Sequence, residues 1–159
     1  MHIYYAAPLF SHAEQQYNTF LVQKIREHYP NLTLYAPQEN EAINDKTAYA
    51  DSKMIAKADT DEVLASDLMI AVLDSLVIDP GVASEIGVAY AKGIPVIGLY
   101  TDSRQQGGQH PQKIAALQEI AENQFHYLNL YTTGLIKLNG TIVNSEAALL
   151  TAIADYVRE

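Results

Sequence analysis

The sequence contains no cysteine and no tryptophan. The missing cysteine removes disulfide scaffolds, thiolate metal sites and cysteine nucleophiles together. Basic residues are scarce: ten Lys and Arg stand against nineteen Asp and Glu, for a formal charge of −9. Such an acidic chain repels phosphate backbones and anionic lipid, which argues against nucleic-acid and membrane-surface partners. No apolar run reaches the roughly 18–20 residues of a membrane span. The first residues, MHIYYAAPLF, lack the basic segment of a signal peptide and read as a strand. The expectation is a cytoplasmic chain in which the sequons at Asn31 and Asn139 are chance matches. What is present is ordinary globular material: 159 residues, 48% apolar and 18% charged, with a mean hydropathy of −0.07. That length predicts one domain, residues 1–159, around one core.

Two hydrophobic periodicities alternate along the chain. His2 to Ala7 is a short apolar, aromatic strand ended by Pro8, and Ser11 opens a capping box with Glu14 ahead of a helix to Glu27. Leu32 to Ala36 forms a second strand, Pro37 to Lys46 a polar loop, and Thr47 to Ala65 a long helix. Leu68 to Leu73 is apolar throughout, as a strand covered on both faces is. A loop from Asp74 to Gly81 leads into a helix from about Val82 to Lys92, with Gly93 at its C′ position. Pro95 to Tyr100 is a fourth strand. After the glycine pair Gly107-Gly108, Pro111 to Glu122 reads as a helix. Tyr127 to Tyr131 or Leu135 to Leu138 supplies the fifth strand, and Ser145 to Val157 the last helix. Strands separated by helices mean right-handed crossovers and a parallel sheet covered on both sides. The predicted fold is a three-layer, doubly wound α/β domain with five mostly parallel strands in flavodoxin-like order, a Rossmann-like architecture. Its ligands belong beyond the carboxyl ends of the strands.

The usual motifs of that architecture are missing. There is no G-x-G-x-x-G after the first strand, no G-x-x-x-x-G-K-[ST], no G-x-S-x-G and no H-E-x-x-H. The five His residues are scattered. Chemistry therefore falls to carboxylates and hydroxyls, and the stretch from Asp74 to Gly87 concentrates them. Glu85 lies among Val82, Ala83, Ile86, Gly87 and Val88, a setting that raises a carboxyl pKa, while a helix N-terminus opposes the rise. An ionised but poorly hydrated carboxylate suits nucleophilic attack at a sugar carbon. On spacing alone, Asp79 and Glu85 serve equally well as acids that merely decorate a helix start.

IYYAAPLF from Ile3, PQEN from Pro37 and DPGVASEIGVAYAKGIPV from Asp79 together resemble the nucleoside 2-deoxyribosyltransferase family over nearly the whole chain. The resemblance implies cleavage of the N-glycosidic bond of a 2′-deoxynucleoside. The deoxyribosyl group then passes to another nucleobase through a covalent sugar–glutamate intermediate. Glu85 matches the nucleophile and Tyr4 the tyrosine that orients it, with Tyr5 as the alternative on the opposite strand face. Asp79 matches the acid that holds sugar hydroxyls, with Gly81 beside it in the same pattern. Eight residues before Asp67, Asp59 matches the acid next to the base, in competition with Asp61 and Glu62. Two positions depart from better-known members: Glu41 follows Asn40 where Gln is frequent near the base, and Tyr127-Leu128-Asn129 replaces Asn-Leu-Met. The resemblance thus assigns Glu85, Tyr4 and Asp59 to catalysis, and Asp79, Gly81, Asn40, Glu41 and Asn129 to substrate binding. It implies no metal, no cofactor, small-molecule partners, and a homo-oligomer with sites near subunit interfaces.

Two other readings stand beside this one. A deoxynucleoside 5′-monophosphate N-glycosidase uses the same nucleophile and passes the sugar to water. Asp79 would repel such a phosphate, and no basic cluster is near. A nucleoside-binding domain without turnover is the third reading, since fold alone does not give function.

Overall fold

The computed structural model describes residues 1–44, 49–106, 108–123 and 125–157. The expected helix start at Thr47, the loop end at Lys46 and Gly107 lie outside these residues. Five strands form one parallel sheet: β1 (His2–Ala6), β2 (Thr33–Tyr35), β3 (Leu68–Val72), β4 (Val96–Leu99) and β5 (Gly140–Val143). Their spatial order is β2-β1-β3-β4-β5, with every neighbouring pair parallel. This is the flavodoxin-like arrangement, and the alternation of side chains along each strand divides the core into two halves.

On one face Ile3, Tyr5, Leu68, Ile70 and Val72 pack against Leu21, Val22 and Ile25 of α1 (His12–His28). Leu149, Ala152 and Ile153 of α7 (Glu146–Ala154) complete that half. On the other face Tyr4, Ala6, Met69 and Ala71 meet Val63 of α3 (Ser52–Ala65) and Val82, Ile86 and Ala89 of α4 (Pro80–Lys92). Ile136 of α6 (Leu130–Leu138) joins them. A strand buried on both sides has no polar position to spare, which explains the unbroken apolar run of β3. Short helices α2 (Glu41–Asn44) and α5 (Pro111–Ala115) lie in connecting loops.

Local signals behave as their chemistry requires. Ser11 and Glu14 form the reciprocal capping box, Oγ of Ser11 accepting from the Glu14 N–H at 3.2 Å and Glu14 accepting from the Ser11 N–H at 2.6 Å. Asp51 caps α3, which begins five residues after Thr47. Gly93 ends α4 at φ +80°.

Three expectations need correction. The fifth strand is neither Tyr127–Tyr131 nor Leu135–Leu138. Asn129 accepts from the N–H groups of Tyr131 and Thr132 and starts a helix there, whose Thr132, Thr133 and Ile136 are buried at helical spacing. The strand follows at Gly140, where a β-carbon would overlap the carbonyl of Val96 on β4. The helix expected to reach Glu122 stops at Ala115 and passes through a single tight turn, Ala116–Gln118, to Ala121 at φ +68°. None of α5 is buried and Ile120 is 98% exposed, so no packing sustains a longer helix. Finally, the helix expected from Val82 starts at Pro80, the first-turn position that proline favours.

These two glycines give a stability test. Gly93→Ala should cost about 1–2 kcal/mol, the penalty of a left-handed L-residue. Gly140→Ala should cost more, because the β4–β5 backbone must separate. Denaturant unfolding of both variants checks this, and a Gly140→Ala loss smaller than that of Gly93→Ala contradicts the register.

Candidate active site

At the carboxyl edge of the sheet, β1 runs into Ala7 and β2 into Pro37, while α3 and α4 bring their facing sides together. Two adjoining cavities open there, of about 300 and 350 Å³, and Ile55, Asp59, Gly81 and Glu85 line both. The first is closed by Leu9, Phe10, Pro37 and Ile43 and also contains Asp79. The second runs between α3 and α4, past Thr60, Ser84 and Val88.

Glu85 lies in the second turn of α4, one residue before the fully buried Ile86. Its Oε1 accepts from the Tyr4 hydroxyl at 2.6 Å, a bond joining residues 81 positions apart in the chain. Burial pushes the Glu85 carboxyl up to about pKa 7; the charges of Asp59 and Asp79 push the same way, and the Tyr4 hydrogen bond opposes them. Tyr4 is wholly buried, and burial together with the Glu85 charge drives its pKa far upward, so its hydroxyl keeps its proton and acts only as a donor toward Glu85. Tyr5 points to the opposite face, where its hydroxyl donates to Asn18 at 3.1 Å.

Helix α3 contributes Asp59 from the same stripe as Ile55 and Val63, four residues to either side. Burial raises its pKa too. Of its competitors, Asp61 pairs with Lys57 on the exposed side, and Glu62 approaches Nε2 of His2 at 3.4 Å. Only Asp59 of the three lines the cavities.

Asp79 caps α4. Its Oδ1 accepts from the N–H groups of Gly81 and Val82 at 2.8 and 3.1 Å. The positive end of the helix is therefore occupied by Asp79, not by Glu85, whose anion is supported by Tyr4 instead. Asp79 therefore caps the helix start and also lines the first cavity.

The remaining predicted residues are not brought into the cavities. Asn40 bridges the Tyr35 hydroxyl, at 2.9 Å, and the Ala42 N–H, at 3.1 Å. Glu41 is exposed at the start of α2, and Asn129 is exposed as the cap of α6. Among the described residues no group of three or more His, Cys, Asp or Glu side chains is placed to hold a metal ion, and no helix is long and apolar enough to cross a membrane.

One site residue escaped the sequence reading. The ring of Tyr35 stacks on that of Tyr4, with centroids 5.7 Å apart and planes at 25°. The signal was the β1–β2 register: Tyr35 is the partner of Tyr4, and parallel partners share a face.

A doubly wound sheet with a carboxylate-lined cleft beyond its strand ends places the chain among the open-sheet α/β proteins, whose clefts lie at that edge. Within that class, a model of the nucleoside 2-deoxyribosyltransferase family matches residues 3–147, and the chain belongs to that family. Among solved structures, a conserved protein from Enterococcus faecalis V583 is 66% identical, with 99% of each chain covered and a TM-score of 0.93. A 2-deoxyribosyltransferase from Leishmania mexicana is 21% identical, covering 98% of this chain and 95% of its own, with a TM-score of 0.64. A CMP N-glycosidase from Clostridium botulinum is 16% identical, covering 98% and 100%, with a TM-score of 0.52. The last two show a shared fold. The search of curated proteins produced no match.

The raised Glu85 pKa has a consequence for stability. A carboxyl that holds its proton more tightly folded than unfolded contributes most below its ordinary value, 4.5, and loses that contribution as pH rises through about 7. Glu85→Gln, which mimics the protonated form, should therefore be more stable than the wild type at pH 8, by about 1–3 kcal/mol. The difference should vanish near pH 4. Urea melts at both values measure it, and a destabilised Glu85→Gln at pH 8 refutes the assignment.

Proposed function

We propose that the protein transfers a 2-deoxyribosyl group between nucleobases, with Glu85 as the nucleophile. The observation that carries this reading is the short Tyr4–Glu85 hydrogen bond inside a cleft shared with Asp59 and Asp79. Tyr4 occupies Oε1, which leaves Oε2 to attack C1′ of the nucleoside. The C1′–N bond breaks, its electron pair goes to the base, and Asp59 supplies the proton that lets the base leave. Burial shifts the Asp59 pKa upward, the direction a proton donor requires. A nitrogen of the acceptor base then attacks C1′ of the sugar–Glu85 ester. The ester C–O pair returns to Glu85 and the acceptor's proton passes to Asp59. Asp79, with Oδ1 engaged by α4, offers Oδ2 to the sugar hydroxyls, and Gly81 keeps the helix start open beside it.

The chain acts in this reading as one domain, in cytoplasmic nucleoside salvage, without metal or cofactor. It works as a homo-oligomer in which the Tyr127–Asn129 segment serves a neighbouring copy's cleft. Tyr127, Leu130 and Tyr131, 67, 85 and 77% exposed, give that segment and the start of α6 an apolar surface to cover. Asn40 and Glu41 lie outside both cavities, between Pro37 and Ile43 that line the first, and in this reading they meet the base at its rim, where the carboxylate of Glu41 accepts from exocyclic amino groups.

Two considerations favour nucleosides over 5′-monophosphates. No Lys, Arg or His is among the described residues lining either cavity, and Asp79 faces the first of them. A second anion in an apolar-walled site meets strong repulsion. Deoxyadenosine should therefore be used at least a hundredfold more efficiently than its monophosphate, about 2.7 kcal/mol in transition-state stabilisation. Incubation with deoxyinosine and adenine, followed by chromatography, tests the reaction itself: new deoxyadenosine supports transfer, hypoxanthine with free sugar indicates hydrolysis, and no change indicates binding alone.

Glu85→Ala should abolish cleavage with the fold retained. A 2-fluoro-2-deoxy-arabinosyl nucleoside should add its sugar mass to the peptide containing Glu85. Tyr4→Phe should slow turnover at least tenfold, about 1.4 kcal/mol or more for one charge-assisted hydrogen bond, and Tyr5→Phe much less. The nucleophile must be ionised, so kcat/KM should rise with pH through about 7. A label on another residue, or a rate indifferent to pH between 5 and 8, overturns the assignment.

A further inference from the structure

We propose that Asn18 is a positioning residue that sets the spacing of the two loops walling the substrate cleft, acting from the opposite face of the sheet. The inference rests on the reading above only in taking the cleft to be where the nucleoside binds. Asn18 is 3% exposed on a stripe of α1 whose other buried members are Leu21, Val22 and Ile25. An amide buried among aliphatic side chains is unfavourable unless its bonding capacity is met. Here it is met by three partners. Oδ1 accepts from the Tyr5 hydroxyl at 3.1 Å, and Nδ2 donates to the Pro8 carbonyl at 2.9 Å and to Oε1 of Gln38 at 3.1 Å. A proline carbonyl can only accept, so the orientation of the amide follows from its partner.

The partners belong to the cleft's two walls. Pro8 lies between Ala7 and Leu9, and Gln38 follows Pro37; Ala7, Leu9, Phe10 and Pro37 line the first cavity. Each loop has a further tie to α1: Gln15 Nε2 donates to the Leu9 carbonyl at 3.0 Å, and Gln38 Nε2 donates to the Gln15 carbonyl and to Thr19 Oγ1 at 3.1 and 3.0 Å. The Asn18 amide bonds both loops through one buried side-chain group, whereas Gln15 reaches them through two separate groups, its side chain and its carbonyl. Neither Asn18 nor Gln38 lines the cavity that contains Glu85 and Asp79. Their influence passes through loop spacing, which affects how well the base is gripped, while Tyr4, Asp59 and Glu85 stay where β1, α3 and α4 hold them. The signature is a rise in KM with kcat nearly intact.

The test compares wild type, Asn18→Ala, Gln38→Ala and Tyr5→Phe, using deoxyinosine as donor, adenine as acceptor, and hydrogen exchange followed by mass spectrometry. Asn18→Ala and Gln38→Ala should raise the donor KM at least fivefold with kcat within twofold. Exchange should quicken in residues 7–11 and 36–40 and not in β3 or α4. Tyr5→Phe leaves both Nδ2 bonds in place and should change KM less than twofold. If Asn18→Ala does not fold, Gln38→Ala, whose side chain is only half-buried, decides. An unchanged KM in Gln38→Ala, or a fall in kcat at constant KM, overturns the proposal. Wild-type protein inactive on deoxynucleosides overturns the functional reading instead, and unchanged exchange in the two loops then overturns the positioning role independently.

Discussion

Successive side chains of a strand point to opposite faces of its sheet, and β1 turns that constraint to two separate uses. Tyr4 reaches down to α4 and holds the carboxyl of Glu85. Tyr5, one residue on, reaches up to α1 and meets Asn18. A slip of one residue in the pairing of β1 with β3 would turn the Tyr4 hydroxyl to the α1 face and put Ile3 or Tyr5 toward Glu85 in its place. The register is protected because both faces are fully packed. Ile3 and Tyr5 fill one half of the core while Tyr4 and Ala6 fill the other. The Tyr4–Glu85 bond in the cleft is thus tied to the same alternation that specifies the fold.

The electrostatics of the cleft follow from where the helix end is spent. Asp79 takes the first free N–H groups of α4, so Glu85 sits a turn deeper with no backbone donor of its own. Burial and two neighbouring carboxylates then make its charge unfavourable, and Tyr4 is what offsets them. Tyr35 adds to this at one remove, since its ring stacks on that of Tyr4 and its hydroxyl is tied to Asn40. Three aromatic and amide groups therefore stand behind one carboxylate.

Much of this was legible in the sequence. Apolar runs with the right lengths mark β1 to β4, and the capping box at Ser11 and the glycine at residue 93 mark helix ends whose geometry the structure shows. The fifth strand was not legible, because Leu128 to Leu138 contains apolar residues that satisfy either period, whereas the true strand, GTIV, is half-buried along its length. The cleft was partly legible: the spacing of Asp79 and Glu85 shows at once, and the resemblance supplied Tyr4 and Asp59. Tyr35 and Asn18 were hidden for a different reason. Their partners come from strand register and from loops 10 and 20 residues away, and no local pattern encodes those distances.

The bond between Tyr4 and Glu85 spans half the chain, from the first strand to the fourth long segment, and it exists only after β1 has paired with β3. Before that, Glu85 is an ordinary hydrated acid on a short amphipathic segment, with neither raised pKa nor a hydroxyl to aim it. A partly folded chain, or one still emerging from the ribosome, therefore carries an ordinary hydrated carboxylate; under the proposed mechanism only the folded chain carries a sugar-reactive one. Under that mechanism chemical competence waits on a long-range contact, of the kind that forms late in folding, so covalent labelling of this single residue would count native molecules and ignore all others.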